Sequence, residues 1–279
     1  MSYSQLIEGL PVSFYNELNR LTLSSGTLFF EYPYEHKSTS VTFVPQTPWR
    51  NLSVDEQHLF CNSLAQDAYE MISIVKLDTS LIKSLSKLKF PSSITNNNLK
   101  IFHKSRAWQT CRKKLIEFAL HYSNSNNEQI EGGIYFGEGN LENSTINQSN
   151  NEIVGLHLDG WETAKHLKDR CSSKNRICFN LGSYPRYLCF LNLGLNQIYD
   201  LWTCGNASMP FEAIEWNDYS FIYKFLKQNP NYPITRLRIN TGEAYIAPTE
   251  SILHDGSSSG NPGFDITYTL RSFYRNYSI

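Results

Sequence analysis

The sequence predicts an α+β fold, in which a closed barrel or a jelly roll carries helices packed on its outside. Three observations lead to this prediction. Residues 1–130 contain stretches with apolar residues at helical spacing, and residues 131–279 contain many short strand-like stretches separated by turn residues. The third is that no repeat or linker divides the two parts. Helices followed by strands could also form two domains. We expect one domain over residues 1–279, mainly helical at 1–130, with the barrel or jelly roll at 131–279.

Composition narrows the class of protein. The chain has 279 residues, of which 41% are hydrophobic and 18% charged, so it can bury a substantial core. Its 25 Lys and Arg residues nearly balance 26 Asp and Glu residues. Bulk charge therefore gives no reason to expect a nucleic-acid partner or an anionic membrane surface. No stretch approaches the roughly 20 apolar residues that cross a bilayer.

The cysteines and the first residues bear on the cellular compartment. None of the six cysteines forms a CxxC pair, and the spacing from Cys171 to Cys178 does not suit a zinc ribbon. The first 16 residues have no basic segment of the kind that opens a secretory leader. We therefore expect buried free thiols and a cytoplasmic protein.

The elements of the first part follow from local patterns. Short strands are predicted at residues 27–32 and 40–44. Ser53 and Glu56 form a capping box that begins a helix. The apolar stripe of this helix comprises Phe60, Leu64, Ala68, Met71, Ile72 and Val75. Further helices are predicted at residues 78–88 and 105–122.

The second part contains mainly strands. They are predicted at residues 132–136, 152–158, 176–181, 187–193, 197–202, 235–240, 243–247 and 265–274. Turns are expected at 182–185 and 240–242, and one helix at 218–227. The Asn-rich residues 140–151 are typical of a surface loop, which could act as a lid.

The first candidate motif is His157-Leu158-Asp159. In a strand, residues i and i+2 project to the same face, so this imidazole and this carboxylate would point together. They could occupy adjacent positions on a metal ion. A third ligand would complete the two-His, one-carboxylate set that is typical of non-haem Fe(II) oxygenases. Taken alone, the motif is better explained by a strand-end His and Asp that cap a turn.

A second segment supplies further candidates. A predicted strand at 243–247 runs into a turn, after which His254 precedes an Asp-Gly turn. On the following strand, Thr267, Thr269, Arg271 and Phe273 share one face. An arginine among threonines, close to a candidate metal ligand, is well suited to bind a carboxylate through two hydrogen bonds.

The order of these residues resembles that of the Fe(II)/2-oxoglutarate-dependent oxygenase superfamily: an HxD motif, a histidine 97 residues later and an arginine 17 residues after that. The resemblance implies a double-stranded β-helix, which is a cupin-like jelly-roll barrel. It also implies that His157, Asp159 and His254 bind Fe(II). These three would be the metal ligands and the catalytic residues.

The resemblance further implies 2-oxoglutarate as co-substrate. Arg271 would bind its distal carboxylate, with help from Ser272 or Thr269. Arg275 lies on the same predicted strand face as Arg271 and is the alternative anchor.

The implied reaction converts 2-oxoglutarate and O2 to succinate and CO2 while oxidising a C–H bond. Hydroxylation of a small metabolite, such as an amino acid or a natural-product intermediate, is the first expectation. Demethylation, desaturation or ring formation are alternatives. Trp161 and Tyr245 are the candidate substrate-binding residues. Two other classes stay open: a cupin-like metalloenzyme that does not use 2-oxoglutarate, and a catalytically silent barrel that acts as a binding protein.

Overall fold

The structure is a computed structural model that describes residues 5–10, 12–13, 18–33, 39–61, 71–123, 128–147, 149–150, 152–162, 165–204 and 209–275. The strands in these ranges are β1 (Val12–Ser13), β2 (Leu21–Leu23), β3 (Gly26–Pro33), β4 (Thr39–Gln46), β5 (Arg50–Asn51), β6 (Ile72–Lys76), β7 (Ile130–Gly137), β8 (Asn175–Asn180), β9 (Arg186–Phe190), β10 (Thr235–Ile239), β11 (Glu243–Ala247), β12 (His254–Ser257) and β13 (Asp265–Ser272). The α-helices are α1 (Val54–Cys61), α2 (Thr79–Leu85), α3 (Asn96–Lys104), α4 (Arg106–Leu120), α5 (Leu195–Thr203) and α6 (Ser220–Gln228).

Two sheets face each other across an apolar core. One has the strand order β1-β6-β11-β8-β13-β7, and the other has the order β12-β9-β10-β2-β5. Their strands pair antiparallel, except that β1 runs parallel to β6. Ile74, Cys178 and Tyr245 of the first sheet share a buried cluster with Leu188 and Leu237 of the second. This cluster is the core between the sheets.

Helices cover the outer faces of both sheets. Trp108 and Leu115 of α4 pack with Phe179 of β8 on the six-stranded sheet. Ile198 of α5 belongs to the buried cluster that also contains Cys189 of β9, on the five-stranded sheet. The molecule is therefore a mixed structure of helices and mainly antiparallel sheets, with its helices outside the paired sheets.

Several local predictions are confirmed. The strands β3 and β4 occupy the two early strand positions and form a hairpin. In the capping box, the Ser53 amide donates to the Glu56 carboxylate at 2.8 Å, and the Glu56 amide donates to Ser53 Oγ at 3.2 Å. The predicted helices at 78–88 and 105–122 correspond to α2 and α4, whose N-caps are Asp78 and Ser105.

The prediction of a long helix through Val75 is wrong. Met71 precedes β6, and Ile72 and Val75 belong to this strand, which lies between β1 and β11. Ile72 packs in the core between the sheets, whereas Val75 packs under the helices. A strand that is buried on both faces has a continuous apolar run, which can imitate helical spacing. Residues 62–70 of the predicted stripe lie outside the described residues.

Residues 12–76 also depart from the predicted helical first part, because they supply β1–β6 and a single α-helix among the residues described. Most helices of the first part are α2, α3 and α4, of which α3 was not predicted.

The strand predicted at 197–202 is wrong as well, since these residues lie in α5. Leu195, Ile198 and Tyr199 are buried at helical spacing. The Gly194 amide donates to the Gln197 side chain at 3.0 Å, which fixes the start of the helix.

The cysteines agree with the prediction of free thiols. Cys111, Cys178 and Cys189 are buried and form no disulfide in the described part of the chain, and Cys204, which forms none there either, is exposed. As for the membrane, no helix within the described ranges combines the length and apolar character that a bilayer crossing needs.

Candidate metal centre

The structure brings His157, Asp159 and His254 together. One ligand atom from each lies within 4.8 Å of the others. Asp159 Oδ1 is 3.9 Å from Nε2 of His157 and 3.9 Å from Nε2 of His254, and the two imidazole centroids are 4.7 Å apart. The three residues predicted from the HxD motif and the distant histidine are therefore neighbours in space, and their role as metal ligands stays a prediction.

The two histidines are neighbours because their backbones form a β-bridge. His254 is the first residue of β12, and its amide and carbonyl exchange hydrogen bonds of 2.9 Å with those of His157. His157 itself lies outside any regular strand. The strand predicted at 152–158 is reduced to isolated bridges at Ile153 and His157, which corrects that prediction.

A glycine turn directs the chain toward His157. Gly155 has a φ of +66°, a conformation that favours glycine, and a Cβ there would lie 2.3 Å from the carbonyl oxygen of Phe43. The next amide, of Leu156, donates to that same carbonyl at 2.8 Å. The close approach to β4 thus depends on the absence of a side chain at position 155.

Both imidazoles are arranged to offer Nε2. His157 Nδ1 lies 2.7 Å from the Gly155 carbonyl, and His254 Nδ1 lies 3.1 Å from the Ile252 carbonyl. A carbonyl only accepts, so each Nδ1 carries the proton and each Nε2 keeps its lone pair. Burial lowers the pKa of His254 to about 3 and also lowers the pKa of His157. Both rings are therefore neutral at physiological pH.

Asp159 is held as a charged carboxylate. Its amide donates to the Thr249 carbonyl at 2.9 Å, and its Oδ2 forms an ion pair with Arg176 Nη2 at 2.5 Å. Burial acts to raise the pKa of Asp159, but the positive charge of Arg176 is the largest opposing effect, and the pKa lies below its ordinary value.

These donors fit a divalent transition metal. His254 Nε2 is buried and has no hydrogen-bond partner among the described residues, an arrangement that is costly unless something else occupies the lone pair. Two neutral imidazoles and one carboxylate form the donor set of non-haem iron sites, which leaves other coordination positions open.

Arg271 lies close to this group, in a cluster of buried charges. Its cross-strand partner is Arg176, which binds Asp159. Arg271 Nη2 contacts Glu250 Oε1 at 2.7 Å, and its guanidinium lies 5.6 Å from the Trp161 ring centroid. Arg271 is 2% exposed, and its Nε has no hydrogen-bond partner within the described structure. The Nη2 side of the Arg271 guanidinium, the group predicted to bind a carboxylate, therefore already has a protein partner.

Glu250 links the segment around Asp159 to β13, and no local sequence pattern indicates this role. The Trp161 amide donates to Glu250 Oε1 at 3.0 Å. Arg170 Nη1 contacts Glu250 Oε2 at 3.3 Å and donates to the Asp159 carbonyl at 2.6 Å. Burial raises the pKa of Glu250, despite the opposing effects of the Trp161 amide and the Arg271 guanidinium.

Thr269 and Ser272, the two residues predicted to assist Arg271, lie on opposite faces of β13. Thr269 shares the face of Arg271 by alternation. Ser272 Oγ lies 3.0 Å from Ser123 Oγ, just beyond α4, and donates to the Glu128 carbonyl at 3.3 Å. Ser272 is therefore directed away from the candidate site, contrary to the prediction.

Three other predicted residues occupy different environments. Arg275 is exposed and follows the end of β13, so strand alternation does not extend to it. Trp161 is 57% exposed beside Arg271. Tyr245 is 3% exposed in the core between the sheets, and burial raises its pKa.

A further buried arginine between the sheets was not predicted. Arg186 of β9 donates to both carboxylate oxygens of Asp265, at 3.0 and 3.3 Å. Its Nη1 also lies 3.7 Å from the Cys178 sulfur. Since the inward face of β9 is decided by tertiary pairing, alternation alone could not identify it.

The predicted surface loop at 140–151 runs beside β12. The Asn140 amide donates to the Ser258 carbonyl at 3.0 Å, and the Ser144 amide donates to the Gly256 carbonyl at 2.8 Å. Residues 148 and 151 lie outside the described residues. A role of this loop as a lid stays a prediction.

Comparison with known proteins gives a distant likeness. No family model and no curated protein matches the chain. Among solved structures, the chain is similar to the Kdo hydroxylase KdoO, a non-heme Fe(II) alphaketoglutarate-dependent dioxygenase, in complex with cobalt(II), at 12% identity and a TM-score of 0.38 over 73% of this chain and 80% of that chain. The KdoO complex with succinate and Fe(III) gives 11% identity and a TM-score of 0.35 over the same shares. At these TM-scores the likeness decides nothing about activity, so the geometry of the site must support any function.

Proposed function

We propose that this chain is a non-haem Fe(II)/2-oxoglutarate-dependent dioxygenase that oxidises, by hydroxylation, a C–H bond of a small metabolite. The observation that carries the proposal is the group formed by His157, Asp159 and His254. Both Nε2 atoms are available, and that of His254 is buried with no hydrogen-bond partner in the part of the chain that the structure describes. This arrangement suits a metal that needs open coordination positions.

We further propose that the chain is a single oxygenase domain, built as a double-stranded β-helix. The strand order supports this architecture. One sheet contains β7-β13-β8-β11, and the other contains β12-β9-β10, with the His157 segment bridged to β12. From β7 to β13 the chain passes repeatedly from one sheet to the other, as it does in a jelly roll.

Fe(II) would be held by Nε2 of His157, Nε2 of His254 and a carboxylate oxygen of Asp159. With 2-oxoglutarate and O2 it supplies the oxidation: one oxygen atom enters the product, the other enters succinate, and CO2 is released. The protein positions the C–H bond and limits the access of water.

Arg271 would bind the distal carboxylate of 2-oxoglutarate. Its Nε has no hydrogen-bond partner among the residues described and so keeps a donor free, while Nη2 pairs with Glu250. The surrounding ion-pair cluster has more cations than carboxylates in the described structure. Its members are Arg170, Lys174, Arg176 and Arg271 against Asp159, Glu162 and Glu250. This excess of positive charge favours an anionic co-substrate.

The substrate would approach past Trp161, whose exposed ring lies beside Arg271. We propose a small metabolite such as an amino acid or a natural-product intermediate, oxidised in the cytoplasm. Tyr245 is the less accessible of the two candidate substrate residues, since it lies in the core between the sheets.

A labelling experiment tests the reaction. The Fe(II)-loaded protein is incubated with a small-molecule extract, 2-oxoglutarate and 18O2, with His157→Ala as the matched inactive variant. With the wild type, we expect one metabolite to gain 18O and succinate to form in an amount equimolar to that product. With His157→Ala we expect neither. Metal-dependent product formation without 2-oxoglutarate would support the cupin-like alternative. No turnover by a folded, metal-loaded protein would contradict the proposal.

A further inference from the structure

We propose that Arg176 is a positioning residue that holds one oxygen of Asp159, so that the carboxylate presents only its other oxygen to the metal. The inference rests on the proposed metal site. It does not depend on the identity of the substrate.

The two oxygens of Asp159 have different surroundings. Oδ1 is 3.9 Å from each histidine Nε2, which places it on the side of the candidate ligands. Oδ2 is 2.5 Å from Arg176 Nη2. Because the side chain of Asp159 is only 6% exposed, water has little access to replace either contact. The ion pair therefore orients the carboxylate, with Oδ2 toward Arg176 and Oδ1 toward the two imidazoles.

Arg176 is well placed to fix the carboxylate, because it stands on a central strand. The strand β8 lies between β11 and β13, and Arg176 is paired with Ala247 on one side and Arg271 on the other. Asp159, by contrast, lies in a segment without regular strand pairing. The sheet thus provides a rigid support for a ligand whose own backbone is irregular.

The choice between one and two carboxylate oxygens changes what the metal can bind. A carboxylate can coordinate through one oxygen or through both. With two imidazoles and one carboxylate oxygen bound, an octahedral ion keeps three positions, which a chelating keto acid and O2 would fill. Coordination by both oxygens would remove one of these three. By pairing with Oδ2, Arg176 therefore keeps one coordination position of the metal open and also orients Asp159.

The test measures how Asp159 binds Co(II), used as the probe metal. The infrared difference spectrum of metal-loaded minus metal-free protein gives the separation of the two carboxylate stretches, and Asp159→Asn identifies the bands of this residue. We expect a wide separation, typical of binding through one oxygen, in the wild type. In Arg176→Gln we expect a narrow separation, a visible Co(II) spectrum with changed intensity, and roughly 10-fold weaker 2-oxoglutarate binding.

Two further variants make the result specific. Arg271→Gln removes the neighbouring buried guanidinium and should leave the Asp159 bands as in the wild type. Arg176→Lys keeps the charge and should restore the wide separation in part. A narrow separation in the wild type, or identical bands in the wild type and Arg176→Gln, would overturn the inference while leaving the metal site in place. If Arg176→Gln does not fold, the wild-type spectrum still tests the inference, because a narrow separation of the carboxylate bands there would contradict it. Failure of the wild type to bind Co(II) would overturn the metal site itself, and the inference with it.

Discussion

The candidate ligands come from two regions that are built differently. His254 belongs to β12, which pairs with β9 over four residues. His157 and Asp159 lie between residues 152 and 162, where pairing is limited to isolated bridges. The orientation of His254 is therefore set by a regular sheet. The orientation of the other two ligands depends on individual contacts, namely a glycine turn and an ion pair with Arg176.

This difference indicates which part of the site a substitution can disrupt more easily. In the irregular segment, a substitution can displace a ligand while the two sheets and their core stay intact. The contacts that hold this segment are individual ones, such as the approach of Gly155 to Phe43 and the ion pair of Asp159 with Arg176, and none of them belongs to a continuous ladder. Variants that compare the two regions can therefore separate loss of the site from loss of the fold.

The largest effect is expected from removing a ligand in either region. His157→Ala and His254→Ala should each abolish metal-dependent turnover, because each removes an imidazole that faces Asp159 Oδ1 at 3.9 Å. Circular dichroism should show an unchanged fold, and His58→Ala, at an exposed position, serves as the control. Full activity in either ligand variant would contradict the metal site.

A smaller effect is expected from the turn that precedes His157. Gly155→Ala would place a Cβ 2.3 Å from the Phe43 carbonyl at a positive φ, so the segment must shift. We expect about 10- to 100-fold weaker Co(II) binding, by analogy with the loss of other supporting contacts around a metal. Gly160→Ala is the matched control, since no atom of the described residues lies within 4 Å of a Cβ placed there. Equal affinities for the two variants would show that the turn does not position the ligand.

The regular region also contains the proposed co-substrate anchor. Arg271→Gln should raise the KM for 2-oxoglutarate about 10- to 100-fold, the effect of losing a charge-assisted hydrogen bond pair. The exposed Arg275 supplies the control, Arg275→Gln, which should leave the KM unchanged. A raised KM in Arg275→Gln instead would restore the alternative anchor, and a raised KM in Arg186→Gln would place the anchor on β9.

The smallest effect concerns pH and the buried imidazole of β12. The pKa of His254 is lowered to about 3 in the folded protein, so below pH 6.5 the unfolded chain binds one proton more. This histidine therefore destabilises the fold progressively as the pH falls, by about 2 kcal/mol between pH 6.5 and 5. His254→Asn lacks this contribution. Urea unfolding of the metal-free proteins should show a steeper loss of stability for the wild type, and parallel pH profiles would contradict it.

The sequence predicted those parts of the site that local pattern determines. The strand that carries Arg271 follows from strand periodicity and turn residues. The two-residue spacing of His157 and Asp159 predicted a shared strand face. The structure brings these two side chains together in an irregular segment with an isolated bridge at His157 instead. The position of His254 relative to them came from a resemblance, and the structure places it beside them.

The rest could not be predicted, because it depends on contacts between distant parts of the chain. Arg176 lies on a predicted strand, but only the pairing of β8 with β11 and β13 decides which face is inward. Glu250 contacts Arg271 and Trp161, which are far from it in sequence. The helix α5 was mistaken for a strand because a short apolar run does not distinguish the two.

The measurement that tests the central claim most directly is an anaerobic absorption titration of the metal-free protein, first with Fe(II) and then with 2-oxoglutarate. We predict a weak visible charge-transfer band that develops with 2-oxoglutarate and is absent in His157→Ala. Iron binding without this band would point to a metalloprotein with other chemistry. Failure of the folded wild type to bind iron would contradict the site formed by His157, Asp159 and His254.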